Sequence, residues 1–261
     1  MILKLVKHRL SFGRMHKKMN KIEVINFFSE NYSCRKCFNN PNISKSGQLF
    51  SVADVPGPQP RWLGDNYFNA DKKICIILIN PGSGNKTPEN EWAPLKKMNR
   101  AKSPEIKERF WNELMLTNKV GMPKWGAWEK LYFESLGLDR KKNDIAFMNM
   151  MLCASKGNAY NPKSLDLCFS LQSRKLLSLL SPDVLIFSGK DTMNNALKKK
   201  VSLTQMRERG GSFSREIRSS LIRQEIKDCL QDNTKFYFMG HYAYIKNEDH
   251  EDANIISNSI L

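Results

Sequence analysis

Four short β-rich runs separated by helical stretches constrain this chain more than any other feature. Ile74-Cys75-Ile76-Ile77-Leu78-Ile79 stops at Asn80-Pro81-Gly82, and Asp144-Ile145-Ala146-Phe147-Met148 stops at Asn149. Asp183 to Ser188 turns at Gly189, and Phe236-Tyr237-Phe238-Met239 ends at Gly240-His241. Runs this apolar suit strands buried on both faces, and parallel neighbours of that kind need crossover connections. The helices that supply them are read from Ser103-Pro104-Glu105 through Ile106 to Leu116, from Trp125 to Leu136 with a stop at Gly137, and from Lys190 to Lys200. The clearest is Leu165 to Leu180, entered at Asn161-Pro162-Lys163-Ser164 and stopped by Pro182. The expected fold is therefore α/β: a single domain over residues 23–261 with a mainly parallel central sheet flanked by helices, preceded by a basic tail over residues 1–22.

That tail carries Lys4, Lys7, Arg9, Arg14, Lys17, Lys18 and Lys21 with no acid before Glu23. Its apolar residues are too interrupted for a secretory leader, so it reads as a tail or as residues ahead of a start at Met15 or Met19. The apolar runs fall far short of the roughly 20 residues a membrane span requires. A cytoplasmic location and a monomer are expected. Across the whole chain 42 Lys and Arg stand against 26 Asp and Glu, a formal charge of +16. Such a surplus favours a polyanionic partner, with nucleic acid first among them.

In parallel sheets ligands gather beyond the carboxyl ends of the strands. Asn80, Asn149 and His241 each follow a strand. One alone is an ordinary turn residue, whereas three at the same edge would meet at one site. The cysteines add a second constellation. Cys34 and Cys37 form a CxxC pair, and Cys153 precedes Cys168 by fourteen intervening residues. Four thiolates can hold a [4Fe-4S] cluster or a structural Zn, and buried cysteines also serve as small core residues. Cys75, within a strand, and Cys229, in a polar helical stretch, read as non-ligands.

Taken in order, these motifs resemble the uracil-DNA glycosylase superfamily, most closely its iron-sulfur branch. The resemblance runs from about Cys34 to about Tyr244. Leu78-Ile79-Asn80-Pro81-Gly82 is similar to the first superfamily motif, Met148 to Cys153 to the strand-end Asn followed by a cluster cysteine, and Gly240-His241-Tyr242-Ala243 to the second catalytic motif. The resemblance implies a monofunctional DNA glycosylase that hydrolyses the N-glycosidic bond of a flipped pyrimidine. Asn80 would orient the water, His241 would stabilise the departing base, and Asn149 would read its polar edge. Pro81 and Gly82 would border the base, and Trp92 is a candidate to stack on it, with a core tryptophan as the other reading. Cys34, Cys37, Cys153 and Cys168 would hold a [4Fe-4S] cluster, with structural Zn as the alternative. Lys86, Arg207, Arg209 and Lys246 are the candidates for DNA phosphate contact.

The chain departs from the branch where substrate is chosen. Asn80 stands where that branch usually has Ala, and Ile79 stands where it usually has an acid, as in the mismatch-specific branch. The stretch from Asn80 to Asn149 is longer, and Tyr242 and Tyr244 replace the usual Pro-Ser type residues. Uracil is the default substrate under this resemblance. An enlarged modified pyrimidine, such as a substituted cytosine in phage DNA, is the runner-up. A non-catalytic nucleic-acid-binding module on the same fold is the reading from a different class, and a zinc-stapled basic domain of unrelated fold is a third.

Overall fold

The computed structural model of the chain describes residues 21–34, 36–37, 57–79, 93–121, 133–134, 144–153, 162–197, 215–240, 256–258 and 260. Its centre is a six-stranded mixed sheet of β1 (Trp62–Leu63), β2 (Ile74–Leu78), β3 (Ile145–Asn149), β4 (Val184–Ser188), β5 (Arg215–Ile217) and β6 (Lys235–Met239), in the order β1-β3-β2-β4-β6-β5. The four runs read from sequence form the parallel interior, β3-β2-β4-β6. The two edge strands are antiparallel, β1 to β3 and β5 to β6. They are so short that no alternation of apolar and polar residues marks them in the sequence, and pairing with the sheet creates them.

Side chains alternate across the sheet, so each buried run feeds two cores. Cys75, Ile77, Ala146, Met148, Leu185, Phe187, Phe236 and Phe238 face a larger core. Ile74, Ile76, Leu78, Ile145, Phe147, Val184, Ile186, Tyr237 and Met239 face a smaller one closed by Phe133, Ile256 and Ile260. This two-sided burial is why the runs contain almost no polar residue.

Helix α1, residues 21–30, takes in the last two positions of the stretch read as a basic tail. Its Val24, Ile25, Phe27 and Phe28 fall on one helical face and enter the larger core. Helices α2 (Ala93–Arg100) and α3 (Pro104–Gly121) lie against α1. The Ser29 hydroxyl donates to the Met98 carbonyl at 3.2 Å, the Asn99 amide donates to the Ser29 carbonyl at 2.6 Å, and Lys107 Nζ reaches Asn26 Oδ1 at 3.0 Å. The start read at Ser103 is present: its Oγ accepts the Ile106 amide at 3.3 Å, as an N-cap does. The Trp125 to Leu136 helix lies outside the described residues except for positions 133 and 134.

The Leu-rich helix is present but interrupted. Helix α4 (Pro162–Cys168) passes into a π turn (Phe169–Ser173) and then into α5 (Arg174–Leu180). Helix α5 closes on Ser181 in the left-handed conformation, φ 44°, just ahead of Pro182. Gly189, at φ 91°, makes the turn from β4 into α6 (Lys190–Ala196), a conformation that a Cβ would oppose. Helix α6 stops short of Lys200 because Leu197 is extended and pairs with Ile222. A one-turn helix α7 (Gln224–Lys227) leads to β6. Among the described residues no helix is long and apolar enough to cross a membrane.

Burial pushes the Cys75 thiol up, and it pushes the Tyr67 hydroxyl up with Cys75 and Asp183 adding to the effect. Each group holds its proton more tightly in the fold than in the unfolded chain. Their stabilising contribution is therefore complete below the ordinary thiol range, about pH 8.5, and is lost as pH rises beyond it. The thermal midpoint is expected to fall steadily from about pH 8.5 to 10, and Cys75→Val, which removes one such proton, is expected to flatten that fall. Identical slopes in the two proteins would show that the Cys75 thiol is not a source of it.

Candidate functional site

Parallel pairing brings the polar strand-end position of β3 to the carboxyl edge of the sheet. Asn149 is the last residue of β3 and lies opposite Leu78, the last of β2. The chain stays attached to β2 beyond the strand: the Met150 amide donates to the Leu78 carbonyl at 2.8 Å, and the Met151 amide to the Ile79 carbonyl at 2.9 Å. At the other interior strands of this edge, the Ser188 hydroxyl donates to the Gly240 carbonyl at 2.9 Å and the Gly189 amide to the Met239 carbonyl at 2.9 Å. Ile79 and Gly240 are the last described residues before Asn80 and His241. Asn80, Pro81, Gly82, Lys86, Trp92, Arg207, Arg209, His241 and Lys246 themselves lie outside the described residues.

Asn149 is completely buried, and neither its amide nitrogen nor its carbonyl oxygen has a hydrogen-bond partner among the described residues. It is the one described side chain with two such atoms. A buried amide left unpaired costs about 1–3 kcal/mol, so a fold optimised only for packing would place an apolar residue here. A paired donor and acceptor at a strand's carboxyl end is suited to a planar ligand that offers the complementary pair.

The four cysteines singled out from spacing come together. Cys34 and Cys37 lie just beyond α1, on a turn begun by the Asn31 amide and side-chain amide, which both donate to the Phe27 carbonyl. Cys153 follows Leu152, whose carbonyl accepts the Gln59 amide at 2.8 Å, and Cys168 ends α4. All four line one cavity, shared with Lys36, Pro58, Leu171 and Gln172. Cys75 and Cys229 do not line it; Cys75 is in the β2 core, and the Cys229 thiol donates to the Glu225 carbonyl at 3.0 Å.

Within the cavity the Cys168 sulfur neighbours those of Cys37 and Cys153 closely enough to alter its proton affinity, and the Cys37 thiol donates to the Ser164 carbonyl at 3.8 Å. The Cys168 contact and burial hold Cys37 in its neutral form. Cys168 is pushed up as well, first by Cys153 and then by burial, while Cys37 and the Leu152 amide pull the other way. Only thiolates ligate, so a metal bound here would displace the thiol protons. No group of three or more His, Cys, Asp or Glu among the described residues already stands in the arrangement of a site for one metal ion. By type and number the donor set, four cysteines lining one cavity, is the set that could hold a [4Fe-4S] cluster or Zn once drawn together.

Gln172 escaped sequence reading because it sits inside a Leu-rich helical run. Its spacing of four from Cys168 was the available signal, since such positions share a helix face. The π turn ties this cavity to the Asn149 edge: the Ser173 hydroxyl, fully buried, donates to the Met150 carbonyl at 2.6 Å. Comparison with protein-family models and with curated proteins finds no match to the chain.

The unpaired amide supplies a stability test. Asn149→Leu is expected to raise the unfolding free energy, by up to about 1–3 kcal/mol, because it removes the unpaired polar group at similar volume. Denaturant unfolding measures this. A loss of similar size would mean that Asn149 has structural partners the fold depends on.

Proposed function

We propose that the chain is a monofunctional DNA glycosylase of the uracil-DNA glycosylase type, acting on a pyrimidine flipped out of DNA. The observation that carries this reading is the buried Asn149 amide, without a partner among the described residues, at the carboxyl edge of a parallel sheet, with Asn80 and His241 each two residues beyond another strand end. Its donor and acceptor would pair with the polar edge of the base. Since an amide can be turned either way round, neighbouring backbone groups would complete the choice of base.

In the reaction, water adds to the sugar C1′ as the bond to the base nitrogen breaks; the base leaves with the electron pair, and the proton lost by the water passes to solvent and finally to the base anion. Asn80 would orient that water through its side-chain oxygen. His241 would donate a hydrogen bond to the base carbonyl oxygen where negative charge collects. Trp92 would stack on the base, with Pro81 and Gly82 beside it. Cys34, Cys37, Cys153 and Cys168 would hold a [4Fe-4S] cluster, or Zn in its place, whose contribution is to staple the segment after α1 to the loop after Asn149. Lys86, Arg207, Arg209 and Lys246 would contact phosphates, and the protein would work as a monomer in the cytoplasm.

The substrate is uracil or an enlarged modified pyrimidine, the latter in keeping with the long stretch between Asn80 and Asn149 and with a role in defence against phage DNA. Incubation with DNA carrying uracil, and separately with DNA carrying hydroxymethylated or glucosylated cytosine, is expected to yield abasic sites from one of the two. Asn80→Ala, Asn149→Ala and His241→Ala should each lower the rate by about 100–1000-fold while leaving DNA binding largely intact. Binding should weaken steeply as salt rises. A folded protein that binds DNA and releases neither base would instead be the non-catalytic module.

A further inference from the structure

We infer that Gln172 is a positioning residue for the four-cysteine set, its side-chain amide holding the Cys34 sulfur as a metal ligand. The inference rests on the reading of these cysteines as a metal site and adds to it a residue that is not itself a cysteine. The geometry is direct. Gln172 is 6% exposed, lines the same cavity as the four thiols, and points its Nε2 at Cys34 Sγ over 3.6 Å. From another element the Leu152 amide donates to Cys168 Sγ at 3.3 Å. Two N–H donors thus already address two of the four sulfurs.

A neutral thiol is a weak acceptor, so a buried amide gains little from it. The same donor facing a thiolate makes a charge-assisted bond of about twice the strength. Gln172 therefore already presents the N–H donor that a metal-bound Cys34 sulfur would accept. An apolar residue at position 172 would fill the helix face with no desolvation cost and would lack that donor. The π turn is the local device that makes the contact. Such wide turns occur mainly at functional positions, and this one begins right after Cys168, sends Gln172 to Cys34 and sends Ser173 to Met150. Outer-shell donors of this kind orient ligands and tune the bound metal.

The test uses the full chain purified without oxygen, with its iron, sulfide and zinc content measured. Release of the bound metal to a chromogenic chelator is compared among wild type, Gln172→Met, Gln172→Glu and Ser170→Ala. Gln172→Met keeps the volume without donors. Gln172→Glu keeps the shape and removes the donors. Both are expected to release metal about 10–100-fold faster, with circular dichroism unchanged, whereas the exposed Ser170→Ala should match wild type. If the group is an iron-sulfur cluster, its midpoint potential should also fall in Gln172→Met, because a donor to sulfur favours the reduced, more negative state. Wild-type release rates and potential in both Gln172 variants overturn this inference and leave the metal reading standing. A wild-type protein that holds neither iron nor zinc overturns the metal reading and this inference together.

Discussion

Parallel pairing of β3, β2, β4 and β6 is the constraint on which the rest of the structure depends. Because these strands run the same way, all four carboxyl ends share one edge, and whatever follows each strand is delivered there. The same pairing requires crossovers, and those crossovers bring in the helices that cover the larger core. Edge strands β1 and β5 end the parallel block without adding a carboxyl end to that edge, since both run antiparallel to their neighbours. The Asn149 amide has no partner among the described residues, and the surrounding apolar burial on both faces offsets the cost of burying it.

The thiol cavity is coupled to this edge through a short path of backbone and side-chain bonds. Met150 and Met151 prolong the β3 to β2 pairing beyond Asn149, Ser173 fixes the Met150 carbonyl, and Cys153 follows two residues after Met151. Cys168 opens the π turn from which Ser173 and Gln172 act in different directions. A group that bound the four sulfurs would stiffen a segment whose other end carries the candidate base-reading amide. The cavity and the Asn149 edge are thus adjacent along the chain, although Cys37 and Cys168 belong with the larger core and strand alternation puts the Asn149 side chain on the face of the smaller one.

Much of this arrangement was legible from residue pattern. The four interior strands, the Pro162 helix start, the Ser103 cap and the turn at Gly189 all carry local signatures that outweigh context. The gathering of Cys34, Cys37, Cys153 and Cys168 followed from their spacing and from the resemblance, and the structure places all four around one cavity. Less was visible where the signal is not local. Strands β1 and β5 are two and three residues long, and α6 stops at Ala196 because Leu197 pairs with a residue far along the chain. The Leu-rich segment reads as one uninterrupted helix, since a leucine period looks the same on both sides of a π turn.

By itself the sequence determined which segments must be buried strands, which polar residues follow them, and which cysteines form a plausible set, because apolar run length, turn residues and spacing act over a few positions. Tertiary structure alone decided the order of the strands, the antiparallel edges, the isolation of the Asn149 amide and the aim of Gln172 at Cys34. Those depend on contacts between residues distant along the chain, with β2 and β4 and also Gln172 and Cys34 more than a hundred positions apart, and on the loss of water around them. Burial turns an unremarkable asparagine and glutamine into groups that need a partner, and no local pattern encodes burial of a single polar side chain.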